Sequence, residues 1–520
     1  MKVVSLGSNA GKENASKWPM KRISLYLGPL LFIICLLIPN DAAMTEAAKA
    51  TGISLMEGPK YGLGVLLWTA TWWVFETTAL GLAALVPPIL FGIVGLMLWK
   101  EALAPFMDPL IWVIVSGFVF AKSFQVWGLD KRVALTLASL TKTRNPAIAA
   151  FFVACLPVFL LTMTGSMTAA TSIVYGFVIA FLLRQGFKQG SAYGSATMLA
   201  LGQAATAGSL LFLTSTTTNL IGKKTVLEAT GINITFVDWF YIGTIHAIIG
   251  LFLTWIIVYR VIKPEVKTLP FDASTLKKEL SDLGPITRGE KMTIGMLLFT
   301  LLLWIIPGMV ANFAVDNAGL QPLSQLLAKV MPEAAPAVLA MFLFPLLRAG
   351  DRPLLKWDEL LQESINWDIV FLVGGGITLG LGLMRSGFSN WVGIIFKGFM
   401  GNSPNEFVIF GACALIGFLL SYPASNTGAA SVACPLALSL SVAAGINPIA
   451  PIIGTAIATT IPSTLPSTTP AMAIAYSSGY VKMKDMIKVG MIADVIRFAI
   501  LIAIGLPLIK WFLAMRYGIV

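Results

Sequence analysis

Apolar runs long enough to cross a membrane recur from residue 23 to residue 513 of this 520-residue chain, parted by short loops. A lipid interior offers the backbone no hydrogen bonds, so each crossing segment has to satisfy its own N–H and C=O groups as a helix or close into a barrel. Runs of about 20 residues fit helices, because a transmembrane strand needs only about 10. Composition agrees: 57% of residues are hydrophobic and 12% charged, with a mean hydropathy of +0.83, whereas soluble domains carry roughly 25% charged residues. The sequence predicts an all-α polytopic membrane protein with about eleven transmembrane helices, plus two segments that enter and leave on one side. The run 23–38 leads into Asn40 and Asp41 rather than a small-residue cleavage site, so it reads as a retained first span.

The net charge of +11 is not a nucleic-acid footprint, since Lys and Arg gather in short loops and report orientation. Lys12, Lys17, Lys21 and Arg22 place the N-terminus in the cytoplasm. The pairs Lys131/Arg132, Lys142/Arg144 and Arg184/Lys188 mark inside loops, as do Lys263, Lys291, Arg348, Arg352, Lys482 and Lys488. Residues 40–59, 312–332 and 401–405 hold few cations and belong outside; Lys510 and Arg516 run against the pattern at the C-terminus. Cys35, Cys155, Cys413 and Cys434 sit in apolar runs at unrelated spacings, which suggests neither a disulfide framework nor a metal site.

One short element occurs twice. FLLTMTGSMTAATS from Phe159 and FLLSYPASNTGAAS from Phe418 align without a gap, 259 residues apart, with seven identities in fourteen positions. The same offset pairs Gly117 with Gly376 and Gly128 with Gly387. The first copy lies in an apolar stretch of roughly 40 residues with cations at both ends, so it enters from inside and turns near Gly165 to Thr168. The second turns near Ser425 to Gly428, between flanks almost free of cations, and enters from outside. Two such units form an inverted repeat, a transporter architecture with its site near the midplane. The expected organisation is a tail, first span and outside loop at 1–60 and a first half at 61–262. Within that half lie a re-entrant hairpin at about 146–187 and a broken span at about 193–227. A cytoplasmic linker at 263–291 follows, then a second half at 292–513 with a hairpin at about 406–445 and a broken span at about 448–480, and a tail at 514–520.

The broken spans are marked by TSTTTN at 214–219 and TTIPSTLPSTTP at 459–470, where Pro462, Pro466 and Pro470 each remove a helical hydrogen bond. Freed carbonyls with Ser, Thr and Asn oxygens can replace the hydration shell of a small cation, while helix N-termini after the turns offer N–H groups to an anion. No Arg or Lys lies beside either constellation, so a bound anion has to be met by helix dipoles and co-bound cations. A single intramembrane Ser or Thr commonly bonds the preceding turn or tightens packing; two registered clusters, each followed by a broken span, argue for a site. Other candidates read as structural. His246 is a packed neutral side chain, and Gly374, Gly375 and Gly376 serve close helix packing. Glu76 starts a helix near a membrane face. Asp494 and Arg497, three apart on the last span, neutralise one another. Met167 is an apolar filler. Intramembrane hydrolysis needs a Ser/His or Asp/Asp pair or HExxH, and none appears, so no enzyme is expected.

The chain resembles the divalent anion/sodium symporter family, which includes sodium-coupled dicarboxylate, citrate and sulfate carriers. The resemblance runs nearly end to end, through WWVFETTALGLAALVPPILFGIVGL from Trp72, APFMDPLIWVIVSGFVFAKSFQVWGLDKRVAL from Ala104, WDIVFLVGGGITLGLGLMRSGFS from Trp367 and SNTGAAS from Ser425. It implies a homodimer whose protomers each have a scaffold part and a mobile transport part, working as an elevator. It also implies that Ser-Asn-Thr at each hairpin tip and the loop of the following broken span bind sodium and substrate carboxylates. Residue by residue, substrate contacts fall on Ser166, Thr168, Ser425, Asn426, Thr427, Thr469 and Pro470. Sodium contacts fall on Ser166, Thr168, Thr216, Thr217, Thr218, Asn219, Ser425, Asn426, Thr427 and Thr468. Met167 stands where the family has Asn, and the family's Thr/Ser-Pro-Pro-Asn loop is Thr216, Thr217, Thr218, Asn219 in one half and Thr469, Pro470, Ala471, Met472 in the other. The expected function is secondary active transport of a small divalent anion, with a C4 dicarboxylate (succinate, malate or fumarate) favoured and sodium as coupling ion. Exchange of di- or tricarboxylates and sodium:sulfate symport are the alternatives. No cofactor and no nucleic-acid partner are expected, only the anion, sodium, lipid and a second copy, in a bacterial inner membrane.

Overall fold

A computed structural model of the protein describes residues 10–518 except 53–54, 76, 140–142, 270–272, 333, 401–404, 423–425 and 467. Glu76 and Ser425 therefore lie outside the described residues. Among the described residues the chain is helical apart from one strand pair, Arg348–Ala349 with Arg352–Pro353, around a turn at Gly350. Seven helices are long and apolar enough to cross a membrane, or nine if two bent pairs each count as one span. The pairs are Lys21–Leu37 with Ala42–Ala50, bent by 98°, and Gln321–Val330 with Ala334–Leu343, bent by 51°. Four shorter apolar helices add to these: Leu80–Ile93, Pro146–Leu161, Glu406–Leu420 and Ile449–Thr460. Each ends at a glycine, proline or hydroxyl-rich turn, where the helical ladder loses a donor or gains a competing side chain.

Two of these short helices form hairpins with the helix that follows. Pro146–Leu161 packs on Met167–Arg184, and Glu406–Leu420 on Asn426–Ala443. Their ends are set by local chemistry. Asn145 accepts from the N–H groups of Ala147 and Ile148 at 3.0 and 3.3 Å, and Asn405 accepts from Phe407 N at 2.8 Å. Pro157 follows a wide turn of π-helix, Phe151–Cys155, and Pro507 follows another, Leu501–Gly505. The extra residue in each turn takes up the clash a proline ring makes inside an α-helix.

The buried side chains form two cores. The larger runs through both hairpins and the helices around them. The smaller joins Phe32, Val65, Trp73 and Phe91 to Leu379, Leu383 and Phe388, so that the N-terminal helices share one face of Trp367–Arg385. The glycines singled out at 374–376 lie in that helix. A Cβ at Gly375 would overlap the Ala84 carbonyl, and one at Gly376 would lie 2.7 Å from Ser431 Oγ, so both sit at close helix contacts. All four cysteines are buried and unpaired.

The charged segment 263–291 is more than a linker, because it contains the helix Ala273–Asp282 and a buried anchor. Arg132 reaches Glu290 with Nε at 2.6 Å, and its Nη1 and Nη2 donate to Gly284 O at 3.0 Å and Leu283 O at 3.3 Å. Glu290 also accepts from Thr287 N at 2.7 Å, capping the long helix Arg288–Asp316. Arg132→Ala strands the buried carboxylate and is expected to cost about 3 kcal/mol, read as a lower Tm in detergent; adding Glu290→Gln should recover part of the loss.

Candidate functional site

Two spans are each broken into a pair of helices. Ala192–Gly208 and Thr217–Thr230 are joined by residues 209–216, and Ile449–Thr460 and Pro470–Ser477 by residues 461–469. A break at membrane depth orphans N–H and C=O groups, and something has to satisfy them. In the first break Asn219 does so, its amide nitrogen donating to Ser209 O at 2.8 Å and Phe212 O at 3.0 Å. Trp239, on the next span Phe236–Val261, donates to Leu210 O at 3.1 Å. In the second break the next span supplies charged groups. Asp494 accepts from Ser463 N at 2.9 Å, Ser463 Oγ at 2.6 Å and Thr464 Oγ1 at 2.7 Å, and Arg497 Nη1 donates to Ile461 O at 3.3 Å.

Asp494 and Arg497 attract one another through space, as expected, but each also serves the break. Among the described residues no hydrogen bond or ion pair joins their side chains, and both are turned to the break. His246 is buried beside Arg497, at a small cavity of about 240 Å³.

The hairpin tips meet these breaks. The first tip turns at Gly165, whose φ of +91° is the left-handed region that suits glycine. It packs on Gly117, where a Cβ would lie 2.9 Å from Gly165 Cα. Ser166 then accepts from Ala169 N at 3.1 Å and starts Met167–Arg184. At the second tip Ser421 donates to Thr459 O at 2.7 Å. The Asn426 amide, oriented to satisfy its neighbours, donates to Thr468 O at 2.8 Å and to Ser421 Oγ at 2.6 Å. Its oxygen is then 3.4 Å from the Thr460 carbonyl oxygen, at the negative end of Ile449–Thr460. Two oxygens at that spacing, with no hydrogen between them, can share a small cation. The halves are stitched by Thr217 Oγ1 to Thr427 Oγ1 at 2.5 Å and Thr218 Oγ1 to Thr460 Oγ1 at 2.6 Å.

The tips and breaks enclose a cavity of about 1020 Å³. The helices beginning at Met167, Thr217, Asn426 and Pro470 all present their N-termini to it. That of Thr217–Thr230 has no side-chain cap, so its first N–H groups are left for another acceptor. Of the residues singled out in the sequence, Ser166, Met167, Thr168, Thr216, Thr217, Asn426, Thr427 and Pro470 line the cavity. Thr218, Asn219, Thr468 and Thr469 stand behind it, bonded to the breaks or, for Thr469, capping Met472 N at 3.1 Å.

Sequence reasoning missed Asn366 and Asp368, which reach the cavity from the start of Trp367–Arg385, and did not assign Thr214 and Ser215. The hydroxyls of Thr214 and Ser215 are buried and have no hydrogen-bond partner among the described residues. The signal for Asp368 was a carboxylate at the start of an apolar helix.

A fold of apolar helices with two hairpin tips and two broken spans around one cavity is that of a membrane carrier. Residues 23–515 match the family described as the sodium:sulfate symporter transmembrane region, and the chain belongs to that family. It is similar to the sodium-dependent dicarboxylate transporter SdcS of Staphylococcus saprophyticus, with 28% identity over 509 residues, 95% of this chain and 92% of that protein. SdcS of Staphylococcus aureus is 28% identical over 500 residues, 93% of this chain and 90% of that protein. Asn219→Ala removes that residue's two hydrogen bonds to the first break and leaves the Ser209 and Phe212 carbonyls unmet; a loss of about 2–4 kcal/mol is expected, measured as a fall in Tm together with loss of transport.

Proposed function

We propose that the chain is a sodium-coupled secondary carrier of small divalent anions, with a C4 dicarboxylate such as succinate, malate or fumarate as its substrate. The observation that carries the reading is the convergence of four helix N-termini on one cavity that no Lys or Arg lines among the described residues. Helix N-termini hold negative charge through N–H groups and the macrodipole. With no fixed cation present, a dianion there needs mobile ones, and that need couples substrate to sodium. Oxygen ligands for sodium are at hand in each half. The second offers the Asn426 and Thr460 oxygens, and the first the unpartnered Thr214 and Ser215 hydroxyls with Ser166, Thr168 and Thr216 nearby. That the staphylococcal relatives are sodium-dependent dicarboxylate transporters supports both the dicarboxylate and the ion.

The transport part comprises the hairpins and broken spans and moves as an elevator against a scaffold. The carrier works as a homodimer in a bacterial inner membrane, with its N-terminus in the cytoplasm. A second reading, exchange of one anion for another, is favoured by Met167, which lines the cavity with a thioether where the resembling carriers have an amide.

Uptake of labelled succinate into proteoliposomes decides between the two. Symport predicts uptake driven by an inward sodium gradient with nothing inside; exchange predicts uptake that ignores sodium and requires internal dicarboxylate. Sulfate uptake that succinate does not compete with would overturn the substrate. Asn426→Ala should slow succinate uptake by about 10- to 100-fold, the worth of one to two lost polar contacts. Met167→Asn should strengthen sodium dependence, read as a lower sodium concentration for half-maximal uptake.

A further inference from the structure

Asp494 is wholly buried in the middle of the last long helical segment, and the transport reading assigns it nothing. A charge at that depth is costly unless its hydrogen-bonding capacity is filled. Here it is filled from two separate elements. Ser463 and Thr464 belong to the second break, and Tyr422, whose hydroxyl donates to Asp494 Oδ2 at 3.2 Å, belongs to the second hairpin tip. The Ser463 hydroxyl lies 2.6 Å from Asp494 Oδ1 and 2.9 Å from Gln203 Oε1. It has one proton, and the charged acceptor takes it.

These donors bracket the proposed second cation site. Ser463 is three residues past Thr460, and Tyr422 is four residues before Asn426 and adjoins Ser421, which itself donates to Thr459 O. Gly490, one turn ahead of Asp494, brings the helix close enough, since a Cβ there would overlap Thr464 Cα. The equivalent grip on the first break is neutral, through Trp239 and Asn219. Among the described residues, the second half alone uses a buried carboxylate for it.

We propose that Asp494 is a positioning residue of the second half-site: by gripping Ser463, Thr464 and Tyr422 together, it holds break and hairpin tip at the spacing where the Thr460 carbonyl and the Asn426 amide oxygen take a small monovalent cation. This rests on the sodium-coupled reading above. The role is that of the outer partners of metal ligands, which orient the ligands without touching the ion.

The test uses the full chain, wild type and Asp494→Asn, in two assays. One is succinate uptake in proteoliposomes as a function of sodium; the other is the sodium-induced rise in Tm in detergent. Asp494→Asn should raise the sodium concentration for half-maximal uptake about tenfold and abolish the sodium-induced rise in Tm. The KM for succinate at saturating sodium should change by less than about twofold, a split that general loosening of the site does not give. Tyr422→Phe removes one donor at the tip only and should shift sodium half-saturation in the same direction by less. It carries the test if Asp494→Asn fails to fold. Wild-type sodium dependence in the variants overturns the inference, as does a parallel rise of both constants. Wild-type uptake indifferent to sodium overturns the symport reading and the inference together, whereas a sodium-driven wild type with unaffected variants overturns the inference alone.

Discussion

The structure depends on one constraint: a helix broken inside a membrane leaves backbone groups that lipid cannot satisfy. The two breaks are stable because side chains from elsewhere meet those groups. Asn219 and Trp239 serve the first, and Asp494, Arg497 and Ser421 the second. The same breaks supply the helix ends that a carrier needs. The positive ends of Thr217–Thr230 and Pro470–Ser477 turn toward the cavity, and the negative end of Ile449–Thr460 turns toward the Asn426 amide.

The solution is repeated in both halves with different chemistry. In each, a glycine on the following span lets that helix lie directly on the break: Gly243 against the Leu210 carbonyl and Gly490 against Thr464. Any side chain at either position would push the span away and leave the break unsupported. The groups carried beside these glycines then diverge, with an indole donor on one span and a carboxylate on the other. Packing geometry is thus shared between the halves, and polarity is not.

What could be read from the sequence follows from what is local. Hairpin turns and breaks show in single stretches, because Gly165, the hydroxyl cluster at 214–218 and Pro462, Pro466 and Pro470 act on the backbone where they stand. Ser166, Thr168, Asn426 and Thr427 were picked out by the duplicated element and Thr216 and Thr217 by the broken span that follows it, and all six line one cavity. Asp368 was not legible, since nothing near it in sequence shows that its helix starts beside a tip some 60 residues downstream. The roles of Asp494 and Arg497 were only partly legible for a related reason. Spacing along one helix suggests a mutually neutralising pair, and the two charges do interact, but the break one packing layer away gives the carboxylate three hydrogen-bond donors that spacing does not show. Local spacing loses to long-range hydrogen bonding wherever burial makes an unfilled bond costly.

The electrostatics of the cavity follow from the same geometry. Its wall carries one acidic side chain among the described residues, Asp368, and that group is exposed, set beside Leu80 and Leu372. Deeper in, positive potential comes only from helix N-termini, each equivalent to about half an elementary charge. A dianion there meets the like charge of Asp368 and about half an elementary charge of attraction from each of the four helix N-termini. A cation approaching first meets an opposite charge at the mouth and uncharged oxygens within. A cation held at those oxygens would offset the charge of Asp368 and add a full charge where each dipole supplies about half.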